Sequence, residues 1–421
     1  MYKLLIIISL VVISCAKNKF SPISRQVYFD SLNFELNKFK ETSLIPGFSV
    51  SIVNDKATLY SKGFGYANIQ NNIAFTPTTI HGVASISKTF VALSIMKLVE
   101  EKKLDLDEPI NAILPYKIIN PHYPNVPITV RHLVYHTSSI IDDAFVPYYI
   151  GEADICIEND NKSYDSLPAY LQPNLKYYRM GKKISFDENI RKYTQPKEKW
   201  YTDSTFLKKK PGEYFQYSNL GACIAARIVE IKSNMSFIDF TNKYIFKPLN
   251  LKNTAWNLED INPTFMSKIY AHNQENKPTG VVEHPLYYMT NFPVSGLKTN
   301  AIDLSIYLME MIKGFNGKGK LLNKESYQAL FKPQLNCENL NKDDLSDFNS
   351  HFDISIFWSV SATGYRIHFG GNTGIYAFIY FNPKTNRGAL AMCNLRDDSF
   401  VDILNIVHKY EQNMDKKNKS N

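Results

Sequence analysis

Segments able to form β-strands lie at opposite ends of this chain, and that placement limits its fold more than any other feature. Near the start, FSVSIV (Phe48 to Val53) alternates large and small residues, and Asn54-Asp55-Lys56 turns it into ATLYSKGFGYA, which reads as a hairpin. Near the end, Ile354 to Val360, Tyr365 to Phe369, Ile375 to Phe381 and Gly388 to Asn394 read as consecutive strands, the last two joined by Asn382-Pro383-Lys384-Thr385-Asn386. Gln26 to Lys40 and the stretch carrying Phe400, Ile403, Leu404 and Val407 read as helices. The economical arrangement is an α+β fold. One antiparallel sheet is built by both ends of the chain and flanked by the N- and C-terminal helices, with a mostly helical domain inserted. The expected spans are 25–80 and 291–412 for the sheet domain, 81–290 for the helical domain, and 413–421 for a basic tail.

Within the insert, Ser85 to Glu101 carries Ile86, Phe90, Leu93, Ile95, Met96, Leu98 and Val99 at helical spacing, which predicts a buried helix. Asp154 to Lys210 is polar and tyrosine-rich without a clear period, and reads as loop; Tyr148, Tyr149, Tyr177 and Tyr178 line a pocket or simply pack. With 421 residues, 44% of them hydrophobic, the chain can bury a large core. The net charge of +8 comes from scattered lysines, the pattern of a solvated surface rather than of a nucleic-acid partner. Cys156, Cys223, Cys337 and Cys393 are far apart and lack CxxC spacing, so neither a zinc knuckle nor a disulfide framework is indicated; Cys223 and Cys393 sit in apolar segments as small core residues.

The N-terminus carries its own signal. Leu4 to Ile13 is an apolar run too short to span a hydrocarbon core of about 30 Å, and it reads as the core of an export signal. Val12-Ile13-Ser14-Cys15 resembles the lipobox of bacterial lipoproteins, in which cleavage before the cysteine leaves a lipidated residue, here Cys15. That implies a membrane-anchored protein of the periplasm or cell envelope, with residues 16–24 as a tether. An ordinary cleavable signal with a chance cysteine is the alternative.

The chemistry begins at VASISKTF, residues 83–90. Ser85 and Lys88 stand at i and i+3, so on a helix the amine reaches the hydroxyl. A serine at a helix start also has backbone N–H groups aimed outward, where they stabilise a developing oxyanion. Lys88 acts as a base only if its pKa is lowered by burial or by nearby positive charge. Alone, the pair is equally an N-cap serine beside a solvated lysine, and the same spacing recurs at Ser14, Ser94 and Ser295. In PGEYFQYSNLG, Pro-Gly marks a turn before Tyr217-Ser218-Asn219, where a phenol can relay protons and an amide can hold a carbonyl. His368-Phe369-Gly370 is the sole His-x-Gly of the chain, on a predicted strand whose glycines mark close backbone approach.

Taken in order, VASISKTF, ITVRHLVYHTSS, PGEYFQYSNLG, PVSGLKTNAIDL and HFGGNTGIYAFIYFNP resemble the serine hydrolases related to class C β-lactamases, low-molecular-weight penicillin-binding proteins and the DD-peptidase and esterase group. The resemblance runs from about residue 40 to about residue 410. It implies Ser85 as acylated nucleophile, Lys88 as its activator and Tyr217 as partner in proton transfer, the last two a coupled pair. It makes Asn219 a contact to the acyl side, matches His368 and Gly370 to the third motif, and forms the oxyanion hole from the N–H groups of Ser85 and Gly371. No metal or organic cofactor is implied, and the substrate is a D-alanyl peptide, a β-lactam or an ester.

Two departures stand out. His368 replaces the lysine of class C β-lactamases, and a neutral imidazole holds a substrate carboxylate less strongly, which ranks peptide or ester hydrolysis above β-lactamase activity. Ser138-Ser139-Ile140 stands where Ser-Gly-Leu is usual, suggesting an altered turn. His132 and His136 have the spacing of a helical metal pair but lack the glutamate of a zinc protease, and organise a turn behind the site. The remaining alternatives are a zinc hydrolase and a binding protein that keeps the fold without turnover.

Overall fold

The computed structural model describes residues 22–142, 155–157, 179–180, 184–198, 200–273, 280–334 and 352–414. Helix α1 (Pro22–Thr42) leads into strands β1 (Gly47–Asn54), β2 (Thr58–Asn68) and β3 (Ile73–Ala74). Helices α2 (Ser87–Glu100), α3 (Asn219–Ser233) and α4 (Ala301–Phe315) follow. The chain then returns through β4 (Phe352–Ser355), β5 (Trp358–Ser361), β6 (Arg366–Asn372), β7 (Ile375–Asn382) and β8 (Arg387–Cys393) to helix α5 (Phe400–Asn413).

These strands form one antiparallel sheet in the order β4-β5-β6-β7-β8-β1-β2-β3. The ends of the chain meet at its centre, where β1 pairs with β8 from Phe48 opposite Cys393 to Asn54 opposite Arg387. Period-two alternation divides the side chains between two cores. Ala377, Ile379 and Phe381 of β7 and Leu390 and Met392 of β8 join α2, α3 and α4 in the larger core. Phe378 and Tyr380 of β7, Ala389 and Ala391 of β8, and Phe48, Val50 and Ile52 of β1 join Leu32 and Leu36 of α1 and Ile403, Leu404 and Val407 of α5 in the other. Because both faces are covered, the central strands read as nearly continuous apolar runs. On β1 the residues between are Ser49 and Ser51, fully buried, and their small side chains let α4 come close.

The fold is therefore the expected α+β arrangement with terminal helices on one face of the sheet. Three local expectations fail. Within Asp154 to Lys210, read as loop, Phe186–Thr194 is an α-helix whose Ser185 N-cap accepts the Glu188 N–H at 3.1 Å. α1 begins at Pro22, inside the stretch read as tether, with proline at the first helical position, where no amide hydrogen is needed. The run Ile354 to Val360 is not one strand but part of the β4–β5 hairpin, reversing at Ile356–Phe357 with Phe357 at φ 49°. Nothing local marks that turn. It is held from outside, since Phe357 is buried and its N–H donates to the Val134 carbonyl at 3.1 Å.

Cys223 and Cys393 are buried, as expected of core residues. Cys15, Cys337, the apolar run before Cys15, the lysines of the basic tail and Tyr148, Tyr149, Tyr177 and Tyr178 lie outside the described residues. Among the described residues no helix is long and apolar enough to cross a membrane.

Candidate active site

Ser85 sits not in α2 itself but in a 3-10 turn, Ala84–Ile86, that feeds it. The turn runs straight into the first turn of α2, so Ser85 and Lys88, three residues apart, lie on one face. The turn is strained: Ala84 takes φ 43°, a left-handed conformation that costs a non-glycine residue about 1–2 kcal/mol. Neighbours hold it in place. The Ser87 hydroxyl donates to the Ala84 carbonyl at 2.6 Å and accepts the Leu297 N–H at 3.1 Å, while the Val83 N–H donates to the Leu297 carbonyl at 3.0 Å.

Lys88 is fully buried, and its amine donates to Ser85 Oγ at 3.1 Å and to the Val294 carbonyl at 2.9 Å. Burial pushes its pKa down to about 7, with the Asp142 carboxylate pulling the other way. Near neutral pH a large share of Lys88 is thus an unprotonated amine, able to accept the serine proton while still donating to Val294. The same nitrogen lies 5.0 Å from the centre of the Tyr217 ring. The Tyr217 hydroxyl is hydrogen-bonded to Ser85 and is driven up from the ordinary phenol value, by burial foremost and by Asp142, against that hydrogen bond. With 36% of the residue exposed, water softens the shift.

The segment 136–142 places Tyr217. It supplies acceptors for the unpaired N–H groups where α3 begins. The Ser218 N–H donates to His136 Nδ1 at 3.1 Å, and the N–H groups of Asn219 and Leu220 donate to the two Asp142 oxygens at 2.9 and 2.7 Å. Ser218, the N-cap, takes the Gly221 N–H at 2.8 Å. The His136 ring packs 4.5 Å from that of Tyr217. Asp142 was not among the sequence candidates; its only signal is an acidic residue shortly after the HTSS stretch. Asn219 opens α3 beside Tyr217, as expected, at the first helical position.

His132 and His136 do organise the turn behind the site. His132 Nδ1 accepts the Thr129 N–H at 3.2 Å within a capping box, and His136, at φ 55°, accepts the Gln216 N–H on its carbonyl at 2.8 Å. Each Nδ1 is thus engaged by backbone, and among the described residues no group of three or more metal-type ligands forms. Ser139 takes φ 61°, the conformation glycine would supply, and its hydroxyl donates to the Lys209 carbonyl at 2.7 Å. Serine therefore occupies a glycine-like turn without abolishing it.

The far wall of the cleft is β6. Among the described residues its pairing with β5 covers Ile367 and Arg366, and the strand then runs on from His368 to Asn372 beside the Ser85 turn. A Cβ on Gly370 would lie 2.1 Å from the Val83 carbonyl oxygen and 3.1 Å from the Ser85 nitrogen. The strand touches the nucleophile's backbone, and only glycine permits it. At Gly371 a Cβ would meet nothing nearer than 3.7 Å. His368 is buried and donates from Nδ1 to the Phe369 carbonyl at 2.7 Å, since a carbonyl can only accept. Burial first and the Lys88 charge second push its pKa down to about 3. The imidazole is neutral, with a lone pair at Nε2.

The Ser85 hydroxyl and the Lys88 amine, three residues apart, thus meet the phenol of Tyr217, far away in sequence, beside β6. The Beta-lactamase family model matches residues 36–409, nearly the whole described chain. The chain belongs to the β-lactamase family. Protein flp of Staphylococcus aureus (strain MW2) is 24% identical over 355 residues, covering 84% of this chain; the chain spans 60% of that relative's length. Among solved structures, the octameric penicillin-binding protein homologue from Pyrococcus abyssi superposes with a TM-score of 0.67 at 26% identity, covering 88% of this chain and 73% of the other. The D-amino acid amidase from Ochrobactrum anthropi SV3 superposes with a TM-score of 0.66 at 18% identity, covering 94% and 100% respectively, a likeness of fold.

Proposed function

We propose that this family member is a serine hydrolase that cleaves an ester or amide through an acyl-enzyme on Ser85. The observation carrying this is the buried Lys88 amine, 3.1 Å from Ser85 Oγ and lowered to a pKa of about 7. It is a base poised at working pH against the hydroxyl it would deprotonate. Ser85 Oγ attacks the carbonyl carbon, its proton passes to the coupled Lys88–Tyr217 pair, and the carbonyl electrons move to an oxyanion held by the N–H groups of Ser85 and Gly371. The pair returns the proton to the leaving group, and water then releases the acyl group by the same path.

The neutral His368 carries no charge with which to pair a substrate carboxylate. Esters and uncharged amides therefore rank first, D-alanyl peptides second and β-lactams last. The amidase named among the structural neighbours supports amide chemistry on this fold. Chain placement at a membrane through a lipidated Cys15 is part of the same proposal, motivated by the lipobox-like Val12-Ile13-Ser14-Cys15.

A fluorophosphonate probe, mapped by mass spectrometry, labels Ser85, and p-nitrophenyl acetate is hydrolysed above the Ser85→Ala background. Equal rates in the two proteins would leave a binding protein as the better reading. Metabolic labelling with a tagged fatty acid that Cys15→Ser abolishes tests the anchor; labelling that survives the substitution removes it.

A further inference from the structure

Four consecutive N–H groups at the head of α3 are taken by side chains, and two of the four go to Asp142. The Ser218 hydroxyl lies 3.4 Å from the same carboxylate. A single carboxylate therefore anchors the residues that follow Tyr217. Its charge also reaches both partners of Ser85: it favours the protonated form of Lys88 and of Tyr217. The other groups facing Lys88 are the Ser85 hydroxyl, the Tyr217 ring, the Val294 carbonyl, the Cys223 thiol, and the imidazoles of His136 and His368, which burial keeps neutral.

We propose that Asp142 is a positioning residue for acylation, locking the Tyr217–Asn219 turn over Ser85 and serving as counter-charge to the ammonium that Lys88 becomes on taking the serine proton. This rests on the hydrolase reading. In that step the Ser85 O–H bond breaks, an Oγ–C bond forms to the substrate, the carbonyl pair moves to oxygen, and the proton ends on Lys88. Asp142 exchanges no proton.

The test compares Asp142→Asn, which keeps an acceptor but loses the charge, with Asp142→Glu, which keeps the charge, in the pH profile of kcat/KM for p-nitrophenyl acetate. The Asn variant is expected to lose about tenfold in rate and to shift its acid limb to lower pH by at least about half a unit, because the ammonium has lost its partner. The Glu variant keeps the wild-type midpoint at a reduced rate. A merely structural Asp142 would lower the rate of the Asn variant with its midpoint unmoved, and that result overturns the proposal. Should the Asn variant not fold, Asp142→Ser supplies the uncharged comparison. Direct titration of Lys88 by NMR of 13Cε-labelled lysine needs no turnover: its midpoint falls when residue 142 is uncharged, and an unchanged midpoint refutes the coupling even if esters are not substrates. Failure of the hydrolase reading appears separately, as wild-type rates equal to those of Ser85→Ala.

Discussion

Adding one methyl group at Gly370 tests the geometry of the site most directly. In Gly370→Ala the new Cβ would lie 2.1 Å from the Val83 carbonyl oxygen and 3.1 Å from the Ser85 nitrogen. Both obstacles are backbone, so no side chain can swing aside. Relieving the first contact alone requires β6 to move from the Ser85 turn by about 1 Å or more, given carbon contact distances of about 3.5 Å. β6 is tied to β7 along seven residue pairs, from Arg366 opposite Phe381 to Asn372 opposite Ile375, so the weaker partner is the strained turn at Ala84. A displacement of that size in a reacting group costs about a hundredfold in rate, and overpacking costs about 1–3 kcal/mol in stability. The assay is the second-order rate of fluorophosphonate labelling at Ser85, with calorimetry on the same samples. A variant that labels within threefold of wild type and melts at the wild-type temperature would refute the claim that β6 and the nucleophile are in backbone contact.

Other outcomes follow from the same geometry. Tyr217→Phe removes the hydroxyl bonded to Ser85 and is expected to lower kcat by about 10²–10⁴-fold with the fold intact; a loss under threefold would exclude the phenol from proton transfer. Because Lys88 must be unprotonated to act, kcat/KM should rise with pH through an inflection near 7, and a flat profile between pH 6 and 8 would count against it. Ser139→Val puts a β-branched residue at φ 61° and removes the hydroxyl bond to Lys209, which should cost about 1–3 kcal/mol, read as a lower melting temperature. His81 is buried with its pKa pushed down to about 4, and His136 and His368 are lowered too, so the unfolded chain binds more protons below about pH 6.5. Stability should therefore fall as pH drops from about 6.5 towards 4, and a melting temperature that holds or climbs over that range would contradict it.

Several parts of the site are legible in the sequence. Ser85, Lys88, Tyr217, Asn219, His368 and Gly370 stand in ordered motifs, and the structure brings them to one cleft. The buried pair Cys223 and Cys393 and the role of His132 and His136 behind the site were also readable from their surroundings. Asp142 was not, because a carboxylate that accepts backbone N–H groups from a helix almost eighty residues later has no local mark. The Val294 carbonyl on Lys88 was equally hidden, since any residue type can supply a carbonyl. The Phe357 reversal was misread because its turn is held by Val134 and not by a glycine or asparagine of its own.

Strand-forming apolar segments at both ends of the chain were enough to imply a shared antiparallel sheet, because an isolated hairpin is marginal in water and needs further strands or helices to bury its apolar side chains. Side-chain type and motif order were enough to nominate the reacting groups. What only tertiary structure decided is their state: the depressed lysine, the raised phenol and the neutral imidazole all come from exclusion of water and from charges delivered by distant segments. Ionisation in a protein interior depends on solvation and on distance through space, and neither is written along the chain.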